Sequence, residues 1–179
     1  MPSAFTHVAV GAAFGQVAPA EARSLRFGAL FAALSVALDL DVTAFAYGIP
    51  YAHPLGHRGL AHSLLFAFGL AAAATAVVSR RLSLPRGSAL RLLLVSFLAI
   101  ASHGLLDTAT DAGLGIGLLI PFSARRFFLP WRPIRTSSVD PLEFFDSTAL
   151  AILWSEVVWV WLPTAAASGA LWLWRRRRQ

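Results

Sequence analysis

Eight residues carry side chains suited to metal or acid-base chemistry: His7, Asp39, Asp41, His57, Arg58, His62, His103 and Asp107. They include four of the five histidines and three of the nine carboxylates. Neutral imidazole and carboxylate are ligands that zinc accepts without thiolate, and manganese and iron accept them too. The sequence has no cysteine, so thiolate metal sites, cysteine nucleophiles and disulfide frameworks are excluded. Any metal must be held by His and carboxylates.

His103 and Asp107 are four residues apart, so on a helix they project from one face a turn apart and can share one metal or two adjacent ones. Asp111 continues that face if the helix persists. A helix-end hydrogen bond between imidazole and carboxylate is the plainer alternative. Asp39 and Asp41 point to opposite sides of an ideal helix, so both reach one site only if the helix ends there; a solvated helix terminus fits the same step. His57 and His62 diverge on a helix, which places His57 in a loop and His62 in the first turn of the helix that follows. Arg58 has the planar fork for bidentate capture of a phosphate or carboxylate, against a plainer role snorkelling to headgroups. His7 opens an apolar run, where an interfacial histidine is the default. His53 in a Pro-rich loop is assigned to solvent, and Ser63 reads as a helix-start hydrogen-bonder rather than a nucleophile.

The elements that must position these groups are strongly apolar. Of 179 residues, 57% are hydrophobic and 13% charged, where a soluble domain carries about 25% charged residues. That is a membrane composition, and it argues against a soluble globular domain and against disorder. Five runs stand out: Phe5 to Ala18, Phe27 to Tyr47, Leu60 to Val78, Ala89 to Leu106 and Thr148 to Trp174, the last interrupted by Pro163. They are long and lack sustained two-residue alternation, which argues for helices over strands. The expected fold is an all-α, multi-pass membrane bundle of about four to five helices, forming one domain over residues 1–179. The long segment Asp107 to Asp146, rich in Gly, Pro and Arg, is read as a lid over the site or a platform on the membrane, and its glycines 113, 115 and 117 as a flexible re-entrant loop. The tryptophans read as an interfacial belt and packing.

All fifteen basic residues are arginine, and they punctuate the apolar runs instead of lining one face, which argues against a nucleic-acid partner. They read as topology signals and headgroup contacts. If Arg23/Arg26, Arg80 to Arg91 and Arg175 to Arg178 are cytoplasmic, the five runs alternate with the amino terminus outside. The eight singled-out residues then gather on the external face. Arg125, Arg126, Arg132 and Arg135 conflict with that orientation. Ionisable groups kept together in spanning helices cost a few kcal/mol each on insertion scales and mark functional sites. No zincin helix, nucleophile elbow or phosphate-binding loop is present.

Thr6-His7 with Gly11, Asp39-Leu40-Asp41, His57-Arg58-Gly59 with His62-Ser63, and His103-Gly104-Leu105-Leu106-Asp107 followed by Thr110 and Gly113 together resemble the YdjM family, over about residues 4 to 122. That resemblance implies an inner-membrane protein of prokaryotes with metal-dependent hydrolase activity, and in one member a link to binding the LexA regulator. The layout is in turn similar to zinc-dependent phospholipase C, an all-α enzyme in which an early His, an Asp, a His and a helical His-x-x-x-Asp pair gather zinc. On that likeness His7, Asp39 or Asp41, His57 or His62, His103 and Asp107 match ligand positions. No His follows His103, so the third metal position has no counterpart and one or two ions are expected.

The reading that follows is a hydrolase of phosphoester bonds in a phospholipid or lipid-linked substrate, with zinc expected and manganese or iron as alternatives. Asp39 or Asp41 serves as ligand or base, and Arg58 holds the anionic group. The alternative is a non-catalytic membrane protein whose polar cluster is a structural metal site or hydrogen-bonded core, and which binds a lipid or a protein regulator.

Overall fold

A computed structural model describes residues 1–138 and 148–178; the end of the long mixed segment, residues 139–146, lies outside them. The described residues form five helical rods. The first is α1 (Ala4–Phe14), prolonged by a 3-10 turn at Gly15–Val17. The second is α2 (Leu25–Val36), continued in 3-10 geometry over Ala37–Tyr47. Then come α3 (Leu64–Leu82) and α4 (Arg86–Thr108). The fifth joins α5 (Ala149–Glu156) to α6 (Leu162–Arg176) through a π turn at Val157–Trp161. There is no strand among the described residues; isolated bridges at Thr110–Ile134 and Ile116–Phe127 order the segment after α4.

Local chemistry sets the rod ends. Phe66 N–H donates to Ser63 Oγ at 3.1 Å, so Ser63 caps α3, satisfying an otherwise orphan donor. Pro85 stands immediately before α4, where its missing N–H costs nothing. In the fifth rod Pro163 stands two residues after the last residue of the π turn. A proline ring clashes with the carbonyl four residues back, and a widened turn absorbs that conflict without ending the helix.

Four rods are long and apolar enough to cross a bilayer: Leu25–Tyr47, Leu64–Leu82, Arg86–Thr108 and Ala149–Arg176. The first rod, Ala4–Val17, is shorter. It packs closely on α2 at Gly11, where an added Cβ would sit 2.8 Å from Phe31 O and 2.9 Å from Ser35 Cβ. Phe31, Leu92, Val95 and Ala99 form one apolar cluster with Ala18 and Ala22; Leu38, Ala67, Ala71 and Ile100 form another. Leu90, Leu94 and Leu98 face outward along one side of α4. A leucine stripe of that kind suits lipid, not water. The up-and-down path brings the start of α1, the second half of the α2 rod, the start of α3, the end of α4 and the end of α5 to one end of the bundle.

Candidate metal centre

Asp39 and Asp41 both reach one site, and the helix does not end to allow it. It tightens instead. At about 100° per residue, side chains two apart diverge by about 160°; at about 120° per residue they diverge by only about 120°. The switch at Ala37 from α to 3-10 therefore turns both carboxylates toward the bundle interior. His62 lies in a 3-10 turn, Leu60–His62, just ahead of α3 and not in its first turn. Asp111 leaves the cluster: α4 stops at Thr108, where Thr110 Oγ1 donates to Asp107 O at 2.7 Å, and Asp111 accepts from Thr136 N and Oγ1 near the surface. His53 is exposed, its Nδ1 accepting from Leu55 N at 3.1 Å.

Four ligand atoms converge. His62 Nε2 lies 3.1 Å from His103 Nε2, 3.6 Å from Asp39 Oδ1 and 3.5 Å from Asp107 Oδ2. His103 Nε2 lies 3.2 Å from Asp39 Oδ1 and 3.8 Å from Asp107 Oδ2. Zinc bonds of about 2.0–2.1 Å in a tetrahedron place ligand atoms about 3.3–3.4 Å apart. These five separations straddle that value, so His62, His103 and Asp107 can share one cation, with Asp39 beside its remaining position.

The surroundings extend the site. His7 Nε2 lies 3.4 Å from Asp107 Oδ1, and its ring stacks on His103 with centroids 3.6 Å apart. Asp107 thus offers one oxygen to each side. His7, His103 and Asp107 form one group with metal-ligating reach, and Asp39, His57 and His62 form a second. Asp41 holds imidazoles by their far nitrogens: Oδ1 is 2.7 Å from His57 Nδ1 and Oδ2 is 2.9 Å from His62 Nδ1. A carboxylate at Nδ1 leaves Nε2 to face the cation, the usual support for a metal-binding histidine.

The charge balance also calls for a cation. Three carboxylates share the cluster with one guanidinium. Both oxygens of Asp39 and of Asp107 and both ring nitrogens of His7 are buried without a hydrogen-bond partner. Groups in that state are costly unless an ion or comparable partner accounts for them. Burial alone would lower the basicity of His62, but Asp39, Asp41 and the charge of Asp107 outweigh it and raise its pKa to about 9.

Arg58 does not snorkel. It is 1% exposed, with Nε 3.5 Å from Asp107 Oδ2, Nη1 donating to Ala112 O and Nη2 to Thr110 Oγ1. Its backbone is left-handed at φ 61, which costs a non-glycine residue roughly 1–3 kcal/mol and persists only where the surroundings over-determine it. They do so here: Arg58 N donates to Asp41 Oδ2, and Arg58 O accepts from Gly117 N and from Arg126. The glycine segment after α4 lies folded against this guanidinium. At Gly113, φ is +98 and an added Cβ would sit 2.5 Å from Arg58 Nη1.

Two further residues serve the site although their sequence setting suggests other roles. Arg126 donates to the carbonyls of Tyr51, His53, His57, Arg58 and Gly115, so it ties the loops together and is not a free surface charge. Nothing in the arginine clump around it sets it apart. Glu156, fully buried, accepts from Ser3 N, from Ser3 Oγ at 2.6 Å and from Thr6 Oγ1 at 2.7 Å, next to His7. A lone carboxylate in the last apolar run is a signal by the same cost rule that marks Asp39 and Asp107.

The family model described as YdjM inner membrane protein matches residues 1–178. The chain belongs to the YdjM family. The Escherichia coli (strain K12) "Inner membrane protein YbcI" is 36% identical over 179 residues, spanning 99% of this chain and 100% of that protein. No solved structure matches. With four apolar rods of spanning length, this YdjM-family chain is an inner-membrane protein carrying buried His/Asp groups that could hold a metal ion.

Proposed function

We propose that this YdjM-family protein is a membrane-embedded, metal-dependent hydrolase of phosphoester bonds in a phospholipid or lipid-linked substrate. The observation that carries the reading is the convergence of Asp39 Oδ1, His62 Nε2, His103 Nε2 and Asp107 Oδ2 at separations of 3.1–3.8 Å. A divalent cation held there, zinc first, would supply Lewis acidity: it lowers the pKa of a water toward about 7 and polarises a phosphoryl oxygen.

The protein groups divide the remaining work. Asp39, whose two oxygens are buried and have no hydrogen-bond partner, stands beside the cation position and is the carboxylate suited to take a proton from water. Asp41 has both oxygens engaged by His57, His62 and Arg58 N, so it orients the imidazoles. Arg58 positions Asp107 and adds positive charge beneath the site for an anionic substrate. An apolar cavity of about 350 Å³ lined by Val10, Phe14, Leu105, Leu106, Trp159 and Pro163 lies against the last turns of α4 and would receive an acyl chain. In this proposal the site faces outside, following the arginine clumps.

The test combines elemental analysis with turnover of labelled phospholipid by detergent-purified protein. Wild type carries one or two divalent ions and releases the phosphorylated product; Asp107→Ala loses metal, and His103→Ala loses turnover by at least about 100-fold. One observation favours a second reading. His7, His103 and Asp107 are fully buried, which suits a structural ion saturated by protein. Metal-loaded wild type that is inert on a broad phosphoester panel would select that reading, with a lipid or a protein regulator as the bound partner.

A further inference from the structure

We propose that the end of the bundle opposite the metal centre carries a binding site for an anionic phospholipid, seated between α1, α2 and α6. A cavity of about 440 Å³ opens there, lined by Gln16, Arg23, Ser24, Gly28, Trp172 and Arg175 among others. Arg23 uses Nε and Nη2 on Ala18 O, at 3.3 and 3.1 Å, which fixes the guanidinium and leaves Nη1 unengaged. Arg175 is half-buried and is repelled by both Arg23 and Arg91. Among the described residues, the ion pairs all lie in the metal cluster, and no carboxylate pairs with these three arginines.

A third source of positive potential adds to them. Ser24 is the N-cap of α2 and makes no side-chain cap, so the hydroxyl and the first N–H groups of a twelve-residue helix border the same cavity. Helix N-termini and arginine forks both favour phosphate oxygens.

The occupant must also be apolar. The cavity shares Gln16 and Ser168 with a second groove of about 290 Å³ that runs between α1 and α6, lined by Val10, Ala13, Val17, Ala167 and Leu171. A charged head continuous with an apolar channel along a spanning helix matches a phosphate diester bearing acyl chains. It does not match free phosphate, which has nothing to place in the channel. Crowded arginines with no ion-paired carboxylate among the described residues are expensive at a membrane boundary, and an anionic headgroup offsets that cost.

The test is native mass spectrometry of the full chain, delipidated in detergent and titrated with dioleoyl phosphatidylglycerol or dioleoyl phosphatidylcholine. Wild type retains phosphatidylglycerol in preference, and inorganic phosphate fails to displace it. Arg23→Gln with Arg175→Gln lowers that preference by about 30-fold, from roughly fivefold per arginine. Gly169→Phe lowers it as well: a Cβ there meets nothing within 4 Å, so the added ring fills the cavity without displacing core packing. Arg80→Gln with Arg81→Gln, elsewhere on the bundle, leaves it unchanged. Equal retention of both lipids by wild type overturns the proposal. So does a wild-type preference in the Arg23/Arg175 variant, or an equal loss in the Arg80/Arg81 variant, which would mean diffuse attraction only.

Discussion

Asp39 and Asp41 are chemically identical and two residues apart, yet the structure divides them into a group facing the cation position and a group gripping imidazoles from behind. Removing them should have different consequences. Asp41→Asn should keep a metal but weaken it by about 10–100-fold, the usual effect of losing a carboxylate behind a ligating histidine; Asp107→Asn should abolish loading, as read by competition with a chromogenic chelator. Proton linkage gives a second expectation. His62 has a pKa raised to about 9, so at pH 7 the metal-free protein holds a proton that binding must expel. Affinity should therefore rise with pH until about 9 and level off above it, and calorimetry in buffers of different ionisation enthalpy should count about one proton released at pH 7. An affinity flat from pH 6 to 9 would contradict this. The identities of the clustered residues were legible because charge inside apolar runs is costly. Their division of labour was not, since it depends on a local change of helical pitch that composition does not encode.

Element boundaries were legible to within a few residues, because each apolar run became one rod. The 3-10 and π segments were not, and they matter: one aims Asp39 and Asp41, the other carries the chain past Pro163. Glu156 acts between elements. Ser3 is the N-cap of α1 and makes no side-chain cap of its own; the carboxylate of α5 supplies the acceptors instead, and Trp161 Nε1 donates to Thr6 Oγ1 at 2.6 Å. Replacing Glu156 with Leu strands two buried hydroxyls and a backbone N–H. That should cost about 1–3 kcal/mol for each group left unpaired, lowering the unfolding midpoint in detergent, and should weaken metal binding because His7 sits on the same turn. Gly113→Ala should act on the site through a neighbouring element: the new methyl forces the Arg58 guanidinium away from Asp107, lowering metal affinity while thermal stability falls less.

At the scale of the molecule, the arginine pattern and the bundle's two ends make one expectation about sidedness. The chain has no cysteine, so single reporters are clean: Leu114→Cys, beside the metal cluster, should react with a membrane-impermeant maleimide in intact cells, and Gly87→Cys only after lysis. The reverse pattern would place the site inside. Arg126 keeps its charge but is tied down by five loop carbonyls, so it is not a free surface cation of the kind the other clumps provide. Stripping the metal should also destabilise the whole bundle, by about 4 kcal/mol when free ion had stood near a thousandfold excess over its dissociation constant. Finally, no residue of α6 is fully buried. A helix that adds so little to the interior can be exchanged or fused to another protein with the ligand cage intact, since every residue of that cage precedes Val157. What α6 contributes is therefore the face it turns to its lipid neighbours and to α1, not a part of the cage.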